Sequence, residues 1–205
     1  EQIWTEQVLL LHKWLKAFSV FTLFGTYLIL VMGAIVTKTG SGEGCGNSWP
    51  LCHGELIPSS VNIELLIEYS HRIVSGLVGV IVMVFAIWAV KAIKHNRAVK
   101  WFAAGSVFFI VLQGGLGAGA VVWGQSDAML SLHFGFSLLC FACVLLLTMQ
   151  VFQEGTKREE TLPDVSNKFR YFVWAMPVYV YVVVYTGAYV VHTGSSMGCP
   201  DWPLC

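Results

Sequence analysis

Five stretches of this chain are each long and apolar enough to cross a lipid bilayer, and that limits what it can fold into more than any other feature. They run over 17–37, 66–90, 99–123, 128–152 and 169–191. A hydrocarbon core about 30 Å thick takes roughly 20 helical residues to cross. Lipid offers no water to backbone N–H and C=O groups, so each crossing segment must close its hydrogen bonds internally, as a helix. The expected fold class is an all-α integral membrane protein. Composition agrees, since only 12% of the 205 residues are charged, about half the share in an average soluble domain. The formal net charge is zero, and no basic patch offers a hold for nucleic acid. The partner the composition implies is membrane lipid.

Orientation follows from the basic residues, which gather in cytoplasmic loops. Lys13 and Lys16 precede the first span, Lys91, Lys94, Arg97 and Lys100 lie between the second and third, and Lys157, Arg158, Lys168 and Arg170 between the fourth and fifth. Ten of the twelve Lys and Arg thus fall on one side, predicted to be cytoplasmic together with the N-terminus. The 38–65 loop, the turn near 124–127 and the segment after the fifth span then face outward.

Both outer segments carry a cysteine pair. GCGNSWPLC (44–52) holds Cys45 and Cys52, and GCPDWPLC (198–205) holds Cys199 and Cys205. Disulfides persist outside the cytoplasm, so Cys45–Cys52 and Cys199–Cys205 are the expected bridges, each closing a short loop. A reactive dithiol that exchanges electrons is the other reading.

The echo extends upstream of the cysteines. GAIVTKTGSGEGCGNSWPLC (33–52) returns as GAYVVHTGSSMGCPDWPLC (187–205), at a spacing of 153–154 residues. Each copy follows a span that exits outward, so the fifth span repeats the first and opens a second unit. The expected organisation is a four-helix transmembrane bundle (1–152), a cytoplasmic linker (153–168), and the first helix and outer loop of an incomplete second bundle (169–205). Four helices in that second unit would carry the chain about 100 residues past Cys205, on the repeat logic.

The chemistry concentrates near the outer ends of the second and fourth spans. In LLIEYSHRIVSGLVG, Glu68 and His71 stand at i and i+3 and share a helix face. In AMLSLHFGFSLLC, His133 lies at a similar depth. These two spans run in the same direction, so two imidazoles can meet across a four-helix bundle. Heme iron, with two axial positions, suits such a pair in a wide apolar slot. A membrane histidine can also be a hydrogen-bonded packing residue, but a matched pair with a carboxylate one turn away favours function. Glu68 reads as a proton-transfer acid or as a hydrated helix entry. Arg72 is placed for a heme propionate or for lipid headgroups, and both readings stay open.

Other features are weaker. Gly115 and Gly119 form a G-x-x-x-G in the third span, which predicts close helix packing, with a smooth groove for a flat or prenylated ligand as the alternative. Cys140 and Cys143 form a C-x-x-C in an apolar run and read as packing residues. His192 is expected in the outward loop after the fifth span, as an interfacial hydrogen-bonding residue. His12, His53 and His95 are expected in loops, and Pro177 predicts a kink in the fifth span.

Taken together, GAIVTKTGSGEGCGNSWPLCHG, IEYSHR, LHFG and GAYVVHTGSSMGCPDWPLC resemble heme A synthase, in the bacterial form with outer-loop cysteine pairs, over about 17–205. That family is an eight-helix protein of two similar bundles in the bacterial cell membrane. It oxidises the C8 methyl group of heme O to a formyl group, making heme A for terminal oxidases. The resemblance implies His71 and His133 as axial ligands of the iron at the substrate site, Glu68 as the critical acid, and Cys45 and Cys52 as the first-loop pair. It also implies heme O as substrate, a heme b cofactor in the C-terminal bundle, and heme O synthase and an electron donor as partners. Two other classes remain beside this oxidoreductase: a bis-histidine b-type cytochrome that passes electrons, and an outward-facing thiol oxidoreductase. Glu68 beside His71 favours the first, because simple electron transfer needs no acid at the heme edge.

Overall fold

The structure, a computed structural model, describes residues 2–59, 61–154, 165–195 and 198, with side chains from residue 12 onward. The expected Cys199–Cys205 bridge, most of the linker, and Lys157 and Arg158 lie outside the described residues. Among the described residues five long helices follow one another: α1 (Gln2–Thr39), α2 (Ile63–Ala92), α3 (Arg97–Trp123), α4 (Asp127–Gln153) and α5 (Asn167–His192). All five contain membrane-length apolar spans, so the chain is a multi-pass all-α membrane protein. The last four begin and end within three residues of the spans read from the sequence.

Their starts are capped by side chains. Asn62 Oδ1 accepts from the Leu65 N–H at 2.7 Å, Asn96 Oδ1 from Ala98 at 2.9 Å, and the Ser126 and Ser166 hydroxyls from Met129 and Phe169 at 3.3 Å each. Each cap satisfies a donor that would otherwise lack a partner in the first turn. The first helix differs from expectation, because it starts at Gln2, well before the apolar span, and includes His12. Lys13 and Lys16 end the apolar run but are good helix formers, so the backbone continues through them. Pro177 lies inside α5, which continues on both sides of it.

Helices α1 to α4 pack in a ring, each against the next, with α1 closing against α4, so that α2 and α4 stand diagonally across the bundle. Helix α5 packs on α4 and buries none of its own residues fully. The main core lies toward the α2–α3 loop. There Leu15, Val82, Phe85, Ala89, Ile93, Val99, Val144 and Leu147 are at most 1% exposed. Ser19, Thr22 and Thr26 also point inward from α1, returning their hydroxyl protons to carbonyls of their own helix at 2.7–2.8 Å. This local bonding lets hydroxyls enter an apolar core without an unmet donor.

Candidate heme site

Toward the other end of the bundle the packing changes. Fully buried positions on α2 skip from Glu68 to Val78, and on α3 from Gln113 to Gly119. About two and a half turns of α2 (69–77) and one and a half of α3 (114–118) thus carry no fully buried residue, and His71 and His133 lie at this level. His71 is eight residues past the start of α2 and His133 six past the start of α4. At 1.5 Å per residue these are depths of about 12 and 9 Å, matched to within one turn.

Glycines on the flanking helices accommodate both rings. A Cβ at Gly33 of α1 would stand 3.5 Å from His71 Cε1, and one at Gly117 of α3 only 3.1 Å from His133 Cε1. The His133 Nδ1–H donates to the backbone carbonyl of Gln113 at 2.8 Å, whereas His71 Nδ1 is 3.4 Å from the Ser75 hydroxyl. Each Nδ1 has its polar neighbour, whereas among the described residues neither Nε2 has a hydrogen-bond partner. Gln113 is buried on α3, and its side-chain amide meets the buried Ser137 hydroxyl of α4.

Outside the histidines sits the loop between α1 and α2. A disulfide joins Cys45 and Cys52, both fully buried, against Leu65 and Tyr69 of α2. Within the loop the Ser48 hydroxyl bonds the carbonyls of Cys45 and Leu51 at 3.0 Å, and it accepts from the His53 N–H at 2.7 Å. Glu68 clamps the loop to the helix. Its Oε2 accepts from the Cys45 N–H at 2.8 Å, and its Oε1 pairs with Arg72 Nη2. Arg72 Nη1 in turn donates to the Ser48 carbonyl at 2.7 Å. Gly44 lies so close to the start of α2 that a Cβ there would be 2.6 Å from the Leu65 nitrogen. Across the bundle mouth, Gln125 Nε2 donates to the Gly42 carbonyl at 2.6 Å and ties the α3–α4 turn to the same loop.

The residues present fit a heme. Two imidazoles on diagonal helices suit the two axial positions of one iron. Among the described residues no cluster of three or more His, Cys, Asp or Glu could hold a bare metal ion; a macrocycle supplies the remaining ligands itself. Arg72 Nε is the only buried side-chain polar atom without a partner among the described residues, a spare donor suited to an anionic group such as a propionate.

Sequence reasoning brought Glu68, His71, His133, Arg72, Cys45 and Cys52 forward, and the structure groups them at one end of the bundle. It did not single out Gln113, Ser137, Gln125 or Gly117. The G-x-x-x-G drew attention to Gly115 and Gly119; nothing comes within 4 Å of a Cβ at Gly115, whereas one at Gly119 would meet Trp123 of its own helix at 3.0 Å and Met129 of α4 at 3.8 Å. Of Gly114, Gly115, Gly117 and Gly119, Gly117 meets α4 most closely, through the His133 ring. Cys140 and Cys143 are free thiols on α4, the first 3.6 Å from the Ser106 carbonyl of α3, as packing residues would be. Full burial of Cys45 and Cys52 leaves little access for thiol exchange. His192 is the last residue of α5 rather than part of the loop after it.

A family model described as cytochrome oxidase assembly protein matches residues 16–205. Among curated relatives, the heme A synthase of Alkalihalophilus pseudofirmus is 53% identical over 196 residues, covering 95% of this chain and 65% of the relative. Those of Geobacillus kaustophilus and Shouchella clausii are each 49% identical over 195 residues, covering 95% of this chain and 62% and 65% of their own lengths. The chain thus spans slightly less than two thirds of the relatives it matches.

Proposed function

From the premise that this chain belongs to the cytochrome oxidase assembly protein family, we propose that it carries the substrate-heme bundle of a heme A synthase. In this reading the 1–152 bundle takes up heme O, whose methyl group is oxidised to the formyl group of heme A. The helix beginning at Asn167 opens a second, similar bundle that holds heme b. The bundle sits in a bacterial cell membrane with its N-terminus cytoplasmic and its disulfide loop outside. Heme O synthase would deliver the substrate, and a separate electron donor would serve the second bundle.

The observation that carries the reading is the pair His71 and His133, on diagonal helices at matched depth, each with a glycine beside its ring. Both would bind the iron through Nε2. When bound, heme supplies the redox chemistry at the porphyrin edge. The protein's part is to orient and seclude it. The disulfide loop, clamped by Glu68 and Arg72, keeps bulk water from the outer end. Arg72 would spend its spare Nε–H on a propionate. Methyl oxidation releases protons along with electrons, and Glu68, one turn from His71, would take part in moving them.

The test is heme extraction and chromatography on the complete protein, purified as wild type and as the two histidine variants. Heme O and heme A in the wild type, with the bis-histidine signature of this site lost in His71→Ala and His133→Ala, would support the reading. A wild-type protein holding only unmodified heme b would favour the electron-transfer alternative.

A further inference from the structure

The two histidines are held differently, and the difference assigns work to residues that no motif marks. His71 Nδ1 has a long contact of 3.4 Å with a serine on its own helix. The His133 Nδ1–H reaches across to another helix and donates to the Gln113 carbonyl at 2.8 Å. A helix carbonyl is normally screened by the side chain one turn on, because Cβ atoms at i and i+4 lie on one face. Four residues after Gln113 that position is Gly117. A Cβ at Gly117 would stand 3.1 Å from His133 Cε1 and 3.5 Å from Nδ1. The first is closer than nearly all Cβ contacts, so a side chain at 117 would push the ring by a few tenths of an ångström away from a carbonyl that glycine leaves open.

The acceptor is itself fixed. Gln113 is 7% exposed, and its side-chain amide meets the Ser137 hydroxyl. Ser137 lies one turn beyond His133 on α4 and bonds the His133 carbonyl at 2.7 Å. One level of the bundle thus carries two links between α3 and α4. The imidazole binds the Gln113 backbone, and the Ser137 hydroxyl binds its side chain.

We propose that Gly117, Gln113 and Ser137 form a positioning device for His133, which fixes its tautomer and makes it the more strongly donating axial ligand. This rests on the reading of His133 as an iron ligand. With Nδ1–H committed to the carbonyl, Nε2 carries the lone pair. Donation of the Nδ1–H to a carbonyl raises the ring's basicity, as outer partners of ligating histidines generally do. A more basic ligand favours ferric over ferrous iron and lowers the reduction potential of the heme it holds. His71, without such a partner, is the weaker donor.

The experiment uses the complete protein purified in detergent, with Gly117→Ala, Ser137→Ala and His133→Ala compared with wild type. Heme affinity is read by titrating stripped protein with heme, and the midpoint potential by spectroelectrochemistry. Gly117→Ala replaces a poor helix former with the best one, so the helix itself is not at risk. The variant should bind heme about tenfold more weakly, the lower end for loss of an outer partner. Its potential should rise by about 59 mV if ferric preference falls tenfold in this one-electron couple. Ser137→Ala, which frees the Gln113 side chain but leaves the carbonyl, should move both readouts in the same direction by less. Should Gly117→Ala fail to accumulate, the Ser137→Ala potential decides by its direction. Unchanged affinity and potential in these variants, with the bis-histidine spectrum lost in His133→Ala, would overturn the positioning device and leave the ligand assignment standing. Retention of that spectrum in His133→Ala would overturn both.

Discussion

Replacing Glu68 by Gln separates two duties that the structure gives one carboxylate. Glu68 is 3% exposed, and the side chains of the Arg72–Glu68 pair are 11% and 5% exposed, so solvent screens the pair little. Removing one partner of a buried ion pair costs about 3–5 kcal/mol, because the other charge is left without compensation. Glutamine keeps an oxygen for the Cys45 N–H, now as a neutral acceptor, and Arg72 keeps its bond to the Ser48 carbonyl. Those remaining contacts argue for the lower end, ~3 kcal/mol. The loss falls on the seat of the disulfide loop, so the loop should open about 10²-fold more often, since 1.4 kcal/mol is a factor of ten. Cys45 and Cys52 are fully buried, and reduction by an added thiol must wait for that opening. The assay is therefore the reduction rate of the complete protein under native conditions, with heme A yield measured in the same cells. A double variant, Glu68→Gln with Arg72→Met, removes the stranded charge and should return the rate to within roughly tenfold of wild type. If Glu68 also moves protons, heme A yield stays low in both variants by about 10²-fold or more. An unchanged reduction rate in the single variant would refute the clamp. Normal heme A production would remove Glu68 from the chemistry and leave it as an anchor.

Three further outcomes are expected. Replacing Cys45 and Cys52 together with Ser opens a loop of sequence separation 7 and should cost about 2.5 kcal/mol on the chain-entropy model, read as a lower unfolding temperature with heme still bound; loss of turnover in a fully stable protein would instead point to thiol chemistry. Gly44→Ala places a Cβ 2.6–2.7 Å from backbone atoms of Leu65 and Glu64, and should cost about 1–3 kcal/mol and speed disulfide reduction; a wild-type rate would mean the loop does not sit on the start of α2. His71→Ala and His133→Ala should each abolish the low-spin bis-histidine absorption and electron paramagnetic resonance signals of this site, and an unchanged spectrum in either would remove that residue as a ligand.

Much of this was legible in the sequence because lipid imposes strict rules. The apolar spans fixed helix type and number for the described region, and the last four helices fell within three residues of their spans. The start of α1 was not legible, since hydropathy marks where lipid begins and says nothing of where helical hydrogen bonding does. The i, i+3 spacing of Glu68 and His71, and the place of His133 in α4, picked out candidate residues because helical periodicity is local. Partners across helices are not local. That Glu68 takes the Cys45 N–H across a separation of 23 residues, and that His133 takes a carbonyl 20 residues away, follows from how α1–α2 and α3–α4 are rotated against each other. No spacing in one strand of text records that rotation. The glycines show it best: the sequence marked Gly115 and Gly119 as a G-x-x-x-G pair, and only the packed bundle sets His133 against Gly117. By itself the sequence determined a membrane bundle with two histidines at one depth and a cysteine loop above them. The tertiary structure decided which atoms hold those histidines and that loop, because a backbone carbonyl or amide becomes a specific partner only when another helix is brought against it.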